Sequence, residues 1–325
     1  MRNPVVLVTG AAGFIGSSLT DRLLAEDCSV VGLDNFNDFY QPADKRRNLA
    51  AALAHERFTL VETDIRDRST VHAALAAHKP AIIVHLAAMA GVRPSIANPA
   101  YYSSVNLDGT VNLLDAAVEH GVGKFIFASS SSVYGNNAKV PFAEDDNVDH
   151  PISPYAATKK AGELICHAYH YLHKLPISCL RFFTVFGPRQ RPDLAIAKFL
   201  GMVSQGRPIP VFGDGSTSRD YTYIQDIVTG IRAAMERCGS IGGGYRIYNL
   251  GGNHPTALSE LIAAVETVTG KKAVIDRQPM QPGDVERTWA DLTRARAELG
   301  YEPKTSIAAG IAQQWAWMQK TEGKS

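Results

Sequence analysis

The stretch Pro4-Val-Val-Leu-Val-Thr-Gly-Ala-Ala-Gly-Phe-Ile-Gly16 lies near the start of the chain. Its first residues are apolar and β-branched, which predicts a short buried strand. The glycines at 10, 13 and 16 follow at once, and an amphipathic segment then runs to about Ala25, which predicts a helix. This order is typical of a dinucleotide-binding fold, because the glycine turn lets the N–H groups of the helix terminus approach a pyrophosphate.

The next apolar run, Val30-Val-Gly-Leu33, ends in Asp34. An acidic residue at about this distance from a glycine motif binds the adenosine ribose hydroxyls of a dinucleotide. Its negative charge would repel the 2′-phosphate of NADP, so the sequence predicts NAD as the cofactor. A purely structural glycine turn is the alternative, and the strand and helix around the turn disfavour it.

Apolar strands alternate with helical segments along the first half of the chain. Strands are predicted at 58–62, 81–85, 124–128 and 177–182, each after a helix-like segment. The alternation predicts an α/β fold with a Rossmann-like doubly wound parallel sheet. Shorter units rich in Gly and Pro follow, with helices near 195–205 and 257–270 and a strand near 245–250. We expect an NAD-binding domain over 1–183, with 221–252 folding back onto it, and a smaller α/β substrate-binding lobe over 184–325.

The chain has 325 residues, enough for two lobes. With 45% hydrophobic and 20% charged residues it has an ordinary globular composition, and its formal net charge of +1 argues against nucleic acid as a partner. The longest apolar run, around 81–90, is too short to span a membrane, and the early first strand leaves no room for a signal peptide. We therefore expect a cytoplasmic protein that binds neither membrane nor nucleic acid.

Cysteines and histidines show no metal-binding pattern. The four cysteines have neither close pairing nor ligand spacing, which favours reduced thiols in a core. His167, His170 and His173 are spaced by three, but at about 100° per residue such positions do not all share one helix face. We interpret them as helix-surface or subunit-contact residues and predict no metal.

A tyrosine and a lysine lie one helical turn apart in Tyr155-Ala-Ala-Thr-Lys159. A phenol with the ordinary pKa of about 10 is a poor base at neutral pH, but a neighbouring positive charge favours the phenolate. The pair then suits removal of a hydroxyl proton. Because any amphipathic helix can carry Tyr and Lys at this spacing, the catalytic interpretation depends on the hydride acceptor that the glycine motif predicts.

Together these features resemble the extended short-chain dehydrogenase/reductase family of nucleotide-sugar epimerases and dehydratases, over nearly the whole chain. Besides the motifs above, the resemblance rests on Asp64-Ile65, His85-Leu-Ala-Ala88, Asn106 and Ser129-Ser-Ser-Ser-Val-Tyr-Gly135. It implies Ser130, Tyr155 and Lys159 as catalytic residues. The NAD-binding residues that it implies are Gly10, Gly13, Phe14, Ile15, Gly16, Asp34, Asn35, Asp64, Ile65, Leu86, Ala87, Ala88, Asn106, Tyr155, Lys159 and Phe183.

Segments 209–215, 218–226 and 281–284 resemble the family's nucleotide-diphosphate site. The resemblance implies that Val211 and Phe212 hold the uracil, that Arg219 pairs with the diphosphate and that Asp284 binds the uridine ribose. An arginine fork suits a phosphate, and a carboxylate suits a diol. The alternative for Arg219 is a surface ion pair with Asp220.

Family membership also implies how the reaction begins. Tyr155 takes the proton of the sugar's 4-hydroxyl, Ser130 hydrogen-bonds the same oxygen, and a hydride passes from C4 to the nicotinamide, giving a 4-keto sugar. Related dehydratases carry an Asp-Glu pair, and decarboxylases a Glu, where this chain has Ser131 and Ser132. Since a hydroxyl is neither acid nor base at neutral pH, this difference favours epimerisation, in which the 4-keto sugar rotates and regains the hydride on its other face.

Segments 35–40, 146–151 and 182–193 resemble those of the UDP-glucuronate 4-epimerases within the family. The resemblance implies that Arg191 clamps the C6 carboxylate of the sugar, assisted by Thr184 and Ser131. A bidentate arginine would also hold this carboxylate in a plane from which the 4-keto acid does not lose carbon dioxide. The alternative is that Arg189 and Arg191 only solvate a Pro-rich loop.

Two departures from the galactose epimerases keep other substrates open. Gln281 stands where they have an arginine near the diphosphate, so Arg93 is a candidate to supply that contact. Thr288, at the position that limits sugar size, is small, which leaves UDP-glucose, UDP-xylose and N-acetylated UDP-sugars as alternatives. A UDP-glucuronate decarboxylase and a non-catalytic NAD-binding sensor are further alternatives, although a sensor would be expected to lack the base.

The family also implies a homodimer. In its members a pair of helices from each subunit usually forms a four-helix bundle, and here those helices are expected near 102–120 and 154–173. The strength of such a dimer does not follow from the sequence.

Overall fold

The structure is a computed structural model that describes residues 4–279 and 285–322. Strands alternate with helices through its first half, as the apolar pattern predicts. In chain order the strands are β1 (Val5–Thr9), β2 (Ser29–Asp34), β3 (Phe58–Glu62), β4 (Ile82–His85), β5 (Lys124–Ser130), β6 (Ile177–Phe182), β7 (Thr184–Phe186), β8 (Ile209–Phe212), β9 (Ser218–Tyr223), β10 (Tyr245–Leu250), β11 (Pro255–Ala257) and β12 (Ile275–Gln278).

Helices connect these strands and cover the sheets. In chain order they are α1 (Phe14–Ala25), α2 (Pro42–Asn48), α3 (Ala50–Leu53), α4 (Arg68–His78), α5 (Val92–Ala97), α6 (Pro99–Ser103), α7 (Gly109–Glu119), α8 (Pro154–His173), α9 (Ala195–Ser204), α10 (Ile224–Arg237), α11 (Leu258–Thr269), α12 (Thr293–Leu299) and α13 (Ile307–Glu322).

The main sheet has seven strands in the order β10-β6-β5-β4-β1-β2-β3. Each of its strand pairs is parallel. The prediction of a Rossmann-like doubly wound parallel sheet is therefore confirmed. Its outermost strand, β10, comes from the second half of the chain and pairs with β6, with Tyr245 opposite Ile177.

Both faces of β1 are buried, because side chains alternate along a strand and helices cover both sides of the sheet. Val6 and Val8 pack in a core cluster with Leu19 of α1. Leu7 packs on the opposite face in a second cluster with Val71 of α4. The carboxyl ends of the parallel strands are thereby held along one rigid edge, where α/β folds bind their ligands.

The remaining strands form two small sheets. One has the order β11-β9-β7, and the other pairs β12 with β8. Helix α11 packs against both α9 and α13 in this part of the molecule. In the described parts of the chain, no helix combines the length and the apolar character needed to cross a membrane.

The helix expected near 102–120 is present, but its α-helical hydrogen bonding is interrupted. A π-helical turn at Ser104–Asp108 separates α6 from α7. It carries Asn106, whose amide donates to the Met89 carbonyl at 3.0 Å and to the Thr158 hydroxyl at 2.9 Å. A π turn inserts one residue into a helix, often at functional sites, and apolar periodicity over a short segment does not reveal it.

Candidate active site

The turn between β1 and α1 has backbone geometry that favours glycine. Gly10 has a φ of +67°, a left-handed conformation that other residues rarely adopt. A Cβ on Gly16 would lie 2.0 Å from the Gly10 carbonyl oxygen, so a side chain there would push α1 away from the turn. Gly13 is the N-cap residue of α1 and has no side chain to cap the first N–H groups, which leaves them available to an anion.

Asp34 ends β2 beside this turn. Its carboxylate accepts hydrogen bonds from the backbone N–H of Ala12 at 3.0 Å and of Phe36 at 2.8 Å. Burial raises the pKa of this carboxyl, while the two hydrogen bonds and the Lys45 ammonium oppose the rise. The carboxylate is thus held in one orientation at the carboxyl end of the strand.

A cavity of about 510 Å³ runs along the carboxyl edge of the main sheet. Its size suits a small-molecule site. Most of the residues predicted from the sequence line it, namely Gly10, Gly13, Phe14, Ile15, Gly16, Asp34, Asn35, Asp64, Ile65, Leu86, Ala87, Ala88, Ser130, Ser131, Ser132, Tyr155, Lys159, Phe183, Thr184, Arg191 and Arg219. The glycine turn, the Tyr-Lys pair and the predicted carboxylate clamp therefore face one space.

Some predicted residues do not line this cavity. Among the described residues, Arg93, Val211 and Phe212 lie outside its lining. Asn106 also lies outside it, and its side-chain oxygen Oδ1 accepts a hydrogen bond from the N–H of Met89, a lining residue, at 2.8 Å. The side-chain amide of Asn106 therefore holds the backbone of Met89 at the cavity wall, and its contact with NAD stays a prediction. Gln281 and Asp284 fall outside the described residues.

Tyr155 lies in the first turn of α8. Ser153 caps this helix by accepting a hydrogen bond from the N–H of Ala156 at 3.1 Å. The Ser130 side chain lies close enough to the Tyr155 hydroxyl to lower its pKa. Ser130 also accepts hydrogen bonds from the N–H and the hydroxyl of Ser132, at 3.2 and 2.9 Å. The two hydroxyl groups predicted to contact the reacting oxygen are therefore adjacent and oriented.

Lys159 is buried one turn further along α8. Its ammonium donates to the Ala128 carbonyl at 2.7 Å and lies 6.0 Å from the centre of the Tyr155 ring. Burial lowers the pKa of Lys159 to about 8. An ammonium has three N–H donors, so the bond to Ala128 leaves donors for a ligand in the cavity.

The pKa of Tyr155 is raised, because burial outweighs the hydrogen bond from Ser130 and the positive charge of Arg191. The sequence predicted that a neighbouring positive charge favours the phenolate. In the structure this charge effect is smaller than the effect of burial, so the protein's own groups leave Tyr155 protonated at neutral pH. Any further lowering of the pKa must come from a bound group.

Arg191 reaches the cavity from the loop before α9. Its guanidinium donates to both carboxylate oxygens of Asp193, at 2.9 and 2.8 Å, and its central carbon lies 4.9 Å from the centre of the Phe39 ring. Ser131 and Thr184 line the same cavity. The three residues predicted to surround the sugar carboxylate thus share one wall.

Arg189 takes a different position from Arg191. It pairs with Asp21 of α1 at 2.7 Å and is not among the described residues that line the 510 Å³ cavity. Arg191, unlike Arg189, lines the cavity. The alternative in which both arginines only solvate the loop therefore does not hold for Arg191.

Arg219 lines the cavity from β9 and donates to the carbonyls of Ser218 at 2.9 Å and Glu286 at 3.2 Å. Asp220 is fully buried, and its carboxylate accepts from backbone N–H groups, including that of Gly252 at 2.6 Å. A surface ion pair between Arg219 and Asp220 is therefore wrong, because Asp220 is not at the surface.

Arg93 and Phe212 contact each other. The guanidinium carbon of Arg93 lies 4.6 Å from the centre of the Phe212 ring, which is a cation–π contact. Arg93 directly follows Val92, a lining residue of the cavity. The arginine proposed to replace a phosphate contact and the ring predicted to hold the uracil therefore meet beside the cavity.

Sequence reasoning missed several lining residues: Asn37, Phe39, Tyr40, Lys45, Met89, Tyr101, Leu194 and Val285. Lys45 is buried, donates to the Asn37 carbonyl at 2.6 Å and lies 4.9 Å from the Tyr40 ring centre. The position of 35–40 directly after Asp34 is a signal that identifies this segment as part of the site. Lys45 has no such signal, because a lysine in a short polar helix is normally exposed.

Comparison with known proteins identifies relatives that cover nearly the whole chain. The model of the GDP-mannose 4,6 dehydratase family matches residues 7–314. The UDP-glucuronate 4-epimerase of Thermodesulfobacterium geofontis is 41% identical over 315 residues, which are 97% of this chain and 96% of that protein.

Solved structures with the same fold include two epimerases. UDP-glucuronic acid 4-epimerase from Bacillus cereus, in complex with UDP-glucuronic acid and NAD, has a TM-score of 0.92 and 35% identity, covering 98% of this chain and 99% of that one. UDP-glucose 4-epimerase from Thermotoga maritima, with UDP-glucose, has a TM-score of 0.89 and 32% identity, and the match covers 98% of this chain and 99% of that one. The chain therefore belongs to the GDP-mannose 4,6 dehydratase family, which confirms its predicted place among the extended short-chain dehydrogenases/reductases.

Proposed function

We propose that this protein is an NAD-dependent UDP-glucuronate 4-epimerase that interconverts UDP-glucuronate and UDP-galacturonate. The observation that carries the proposal is the position of Arg191, on the wall of the cavity that also contains Tyr155 and Ser130. A guanidinium at this place matches the C6 carboxylate that distinguishes a glucuronosyl from a glucosyl group. The relative from T. geofontis and the B. cereus structure, both named for this activity, support the same reaction.

The glycine turn and Asp34 fit NAD. The close approach of Gly16 to Gly10 and the uncapped N–H groups of α1 suit a pyrophosphate. Asp34 would bind the adenosine ribose, and its charge would repel the 2′-phosphate of NADP. When bound, NAD accepts a hydride from C4 of the sugar and later returns it.

The chain's own part in the oxidation is to move a proton. Tyr155 takes the proton of the sugar 4-hydroxyl, and Ser130 hydrogen-bonds the same oxygen. The positive charge of Arg191 favours the Tyr155 phenolate, and the Lys159 ammonium lies 6.0 Å from the ring centre, but the further lowering of the pKa that Tyr155 needs would come from a bound group. After the 4-keto sugar has rotated, Tyr155 gives the proton back to the C4 oxygen as the hydride returns to the opposite face.

Arg191 would keep the carboxylate on the sugar. The 4-keto uronic acid is a β-keto acid, which loses carbon dioxide when its carboxylate stands perpendicular to the keto group. Two parallel hydrogen bonds from a guanidinium fix the plane of a carboxylate, and hydroxyls from Ser131 and Thr184 would add to this orientation. Arg191 would thus both select a sugar that carries a carboxylate and prevent that carboxylate from leaving as carbon dioxide.

The serines after β5 support epimerisation over elimination. Ser131 and Ser132 line the cavity next to Ser130. Elimination needs an acid or base that moves a further proton, and a hydroxyl is neither at neutral pH. The oxidised sugar would therefore be reduced again rather than dehydrated.

We also propose the two-lobe organisation predicted above. Residues 1–183 and the returning segment 221–252 would form the NAD-binding domain, and the remainder of 184–325 would form the nucleotide-sugar lobe. The pairing of β10 with β6 supports the return of this segment.

A second copy of the chain is the partner that we propose for the outer face of α8. Leu164, Tyr171 and Leu172 expose 59%, 67% and 68% of their surface, and at i, i+7 and i+8 they share one helix face. Helix α7 packs beside α8, so two copies would form a four-helix bundle. Leu172→Glu should convert a dimer to a monomer in light scattering. A variant that stays dimeric would contradict this arrangement.

The cytoplasm is the location that we propose. All four cysteines are buried free thiols, which suits a reducing compartment. An NAD-dependent reaction on a UDP-sugar suits the same compartment.

Incubation of the purified protein with UDP-glucuronate, followed by chromatography of the nucleotide sugars, tests the proposed function. We expect UDP-galacturonate, and the same equilibrium mixture when the reaction starts from UDP-galacturonate. UDP-xylose as the product would instead identify a decarboxylase. Turnover of UDP-glucose without turnover of UDP-glucuronate would identify a neutral-sugar epimerase. Bound NAD without turnover of either sugar would favour a sensor.

A further inference from the structure

Two histidines and a glutamate meet on the side of the molecule where α4 packs against α7. His72 lies in α4, and Glu119 and His120 lie at the end of α7. Each residue offers one ligand atom, and these atoms all lie within 4.8 Å of one another. None of the three lines the 510 Å³ cavity. This cluster is separate from the proposed epimerase site.

Two ring nitrogens of this cluster are buried without a hydrogen-bond partner among the described residues. They are Nε2 of His72 and Nε2 of His120. A buried polar atom without a partner is costly. Two such atoms lie on neighbouring imidazoles with ring centres 5.5 Å apart, so one ligand between them would satisfy both.

Glu119 gives the cluster its negative charge. Its carboxylate oxygen lies 3.2 Å from Nδ1 of His72, and its side chain is 62% exposed whereas that of His72 is 17% exposed. A carboxylate beside one ring nitrogen of a histidine favours the tautomer whose other nitrogen carries a lone pair. Because Glu119 is exposed, it can also turn toward a cation at little cost.

We propose that His72, Glu119 and His120 bind a divalent transition-metal cation, with Zn²⁺ as the best match. Imidazole nitrogens select Zn²⁺ and its neighbours over Mg²⁺ and Ca²⁺, which prefer oxygen. A tetrahedral zinc site with Zn–N bonds of about 2.1 Å needs ligand atoms about 3.4 Å apart. The three ligand atoms lie within 4.8 Å of one another, so small side-chain rotations would bring them to this spacing.

The cation would link α4 to the end of α7. It would stabilise the fold without entering the sugar reaction, because its ligands lie outside the cavity. The histidines of α8 differ from this cluster. His167 packs edge-on against Tyr245, with ring centres 5.0 Å apart, and His170 bonds the Leu175 carbonyl through Nδ1 at 2.8 Å. They therefore serve as controls.

Titration of the full-length, chelator-treated protein with Co²⁺ and Zn²⁺ tests the proposal. We expect one Co²⁺ per chain with visible absorption bands, displaced by Zn²⁺, and a thermal midpoint that rises with Zn²⁺. His72→Gln and His120→Gln should each weaken binding by at least about tenfold, because even loss of an outer partner of a ligand costs that much. His78→Gln, on the same helix, and His167→Gln should bind like the unmodified protein.

Binding that is unchanged in His72→Gln/His120→Gln would overturn the proposal, as would the absence of any saturable site in the unmodified protein. Circular dichroism of each metal-free variant distinguishes lost ligands from lost folding. If a histidine variant does not fold, Glu119→Gln, whose side chain is exposed, provides the same comparison. In that variant we expect weaker Co²⁺ binding with an unchanged metal-free fold.

Discussion

Arg191 and Asp193 form a bidentate ion pair on the wall of the proposed sugar site, with N–O distances of 2.9 and 2.8 Å. The arginine side chain is 17% exposed and the aspartate 44%. A sugar carboxylate would therefore meet a guanidinium whose charge is already partly balanced. In the proposed sugar site, this pairing would set how strongly Arg191 attracts an anionic sugar and how well it distinguishes that sugar from a neutral one.

Arg191→Ala should abolish the preference for UDP-glucuronate. Truncating one partner of a buried charge pair costs about 2–5 kcal/mol, so kcat/KM on UDP-glucuronate should fall by about 30-fold or more. Activity on UDP-glucose, if present, should change little. Steady-state kinetics with both sugars measure the difference, and Arg189→Ala is the matched control. Equal losses on both sugars would refute the clamp.

Asp193→Asn should lower KM for UDP-glucuronate. The substitution removes the carboxylate that competes with the substrate for Arg191, and a partly exposed pair of this kind is worth about 1 kcal/mol or less, so a change of up to about fivefold is expected. The KM for a neutral UDP-sugar should stay the same. A higher KM for UDP-glucuronate would mean that Asp193 positions the arginine instead.

Tyr155→Phe should keep NAD but lose turnover. The variant lacks the group that moves the proton, and general acid–base catalysis contributes about 10²–10⁴-fold. NAD released by denaturation gives the cofactor content, and chromatography gives the conversion of UDP-glucuronate. Ser130→Ala, which retains the tyrosine, should lose less. Full activity of the phenylalanine variant would end the assignment of Tyr155 as the base.

The pKa of Lys159, about 8, predicts a decline in kcat above that pH. As the pH rises through this value the ammonium loses its proton, and the positive charge 6.0 Å from the centre of the Tyr155 ring is lost. In the folded protein the pKa of Lys159 is about 8, whereas in the unfolded chain it has the ordinary value of 10.5. Between these two pH values the unfolded chain therefore binds more protons than the folded protein. This lysine therefore adds stability as the pH rises across that window.

A pH series of kcat and of the thermal midpoint separates the two effects. We expect activity to fall while the contribution of Lys159 to stability increases. Lys159→Met should show low activity without this alkaline decline. An equal decline in the variant would assign it to another group.

Arg181→Met should strongly destabilise the protein. Arg181 and Glu163 are each 1% exposed and are joined by hydrogen bonds of 2.8 and 2.9 Å. Removing one partner leaves a buried charge and costs about 3–5 kcal/mol. Chemical denaturation measures the loss, and Arg181→Met/Glu163→Leu should recover part of it. A loss below about 1 kcal/mol in the single variant would show that water reaches the pair.

Local patterns predicted most of the regular structure. The bounds of β3, β6 and β10 agree with the prediction, and α8 agrees with the helix expected near 154–173. These elements have clear apolar periodicity and end at turn residues or caps. The π turn at Ser104–Asp108 was missed because one inserted residue alters only local hydrogen bonding.

The candidate site was predictable where a motif is contiguous. The glycine turn, Asp34 and the Tyr155–Lys159 pair were found because each depends on spacing within one strand–turn–helix unit or one helix. Lys45 was missed because its burial depends on how 35–40 folds over the cavity. Arg191 was identified by resemblance, but its pairing with Asp193 and its packing on Phe39 were not predicted.

The parallel α/β fold, the glycine turn and the helix that carries Tyr155 and Lys159 could be read from the chain, because hydrophobic period, glycine conformation and helical spacing act between neighbouring residues. Which charged groups meet depends instead on long-range packing. Arg191 reaches the cavity of Tyr155, and His72 meets His120, because loops and helices from distant segments pack at the same place. Such contacts depend on the closure of long loops and on burial, which no local pattern encodes.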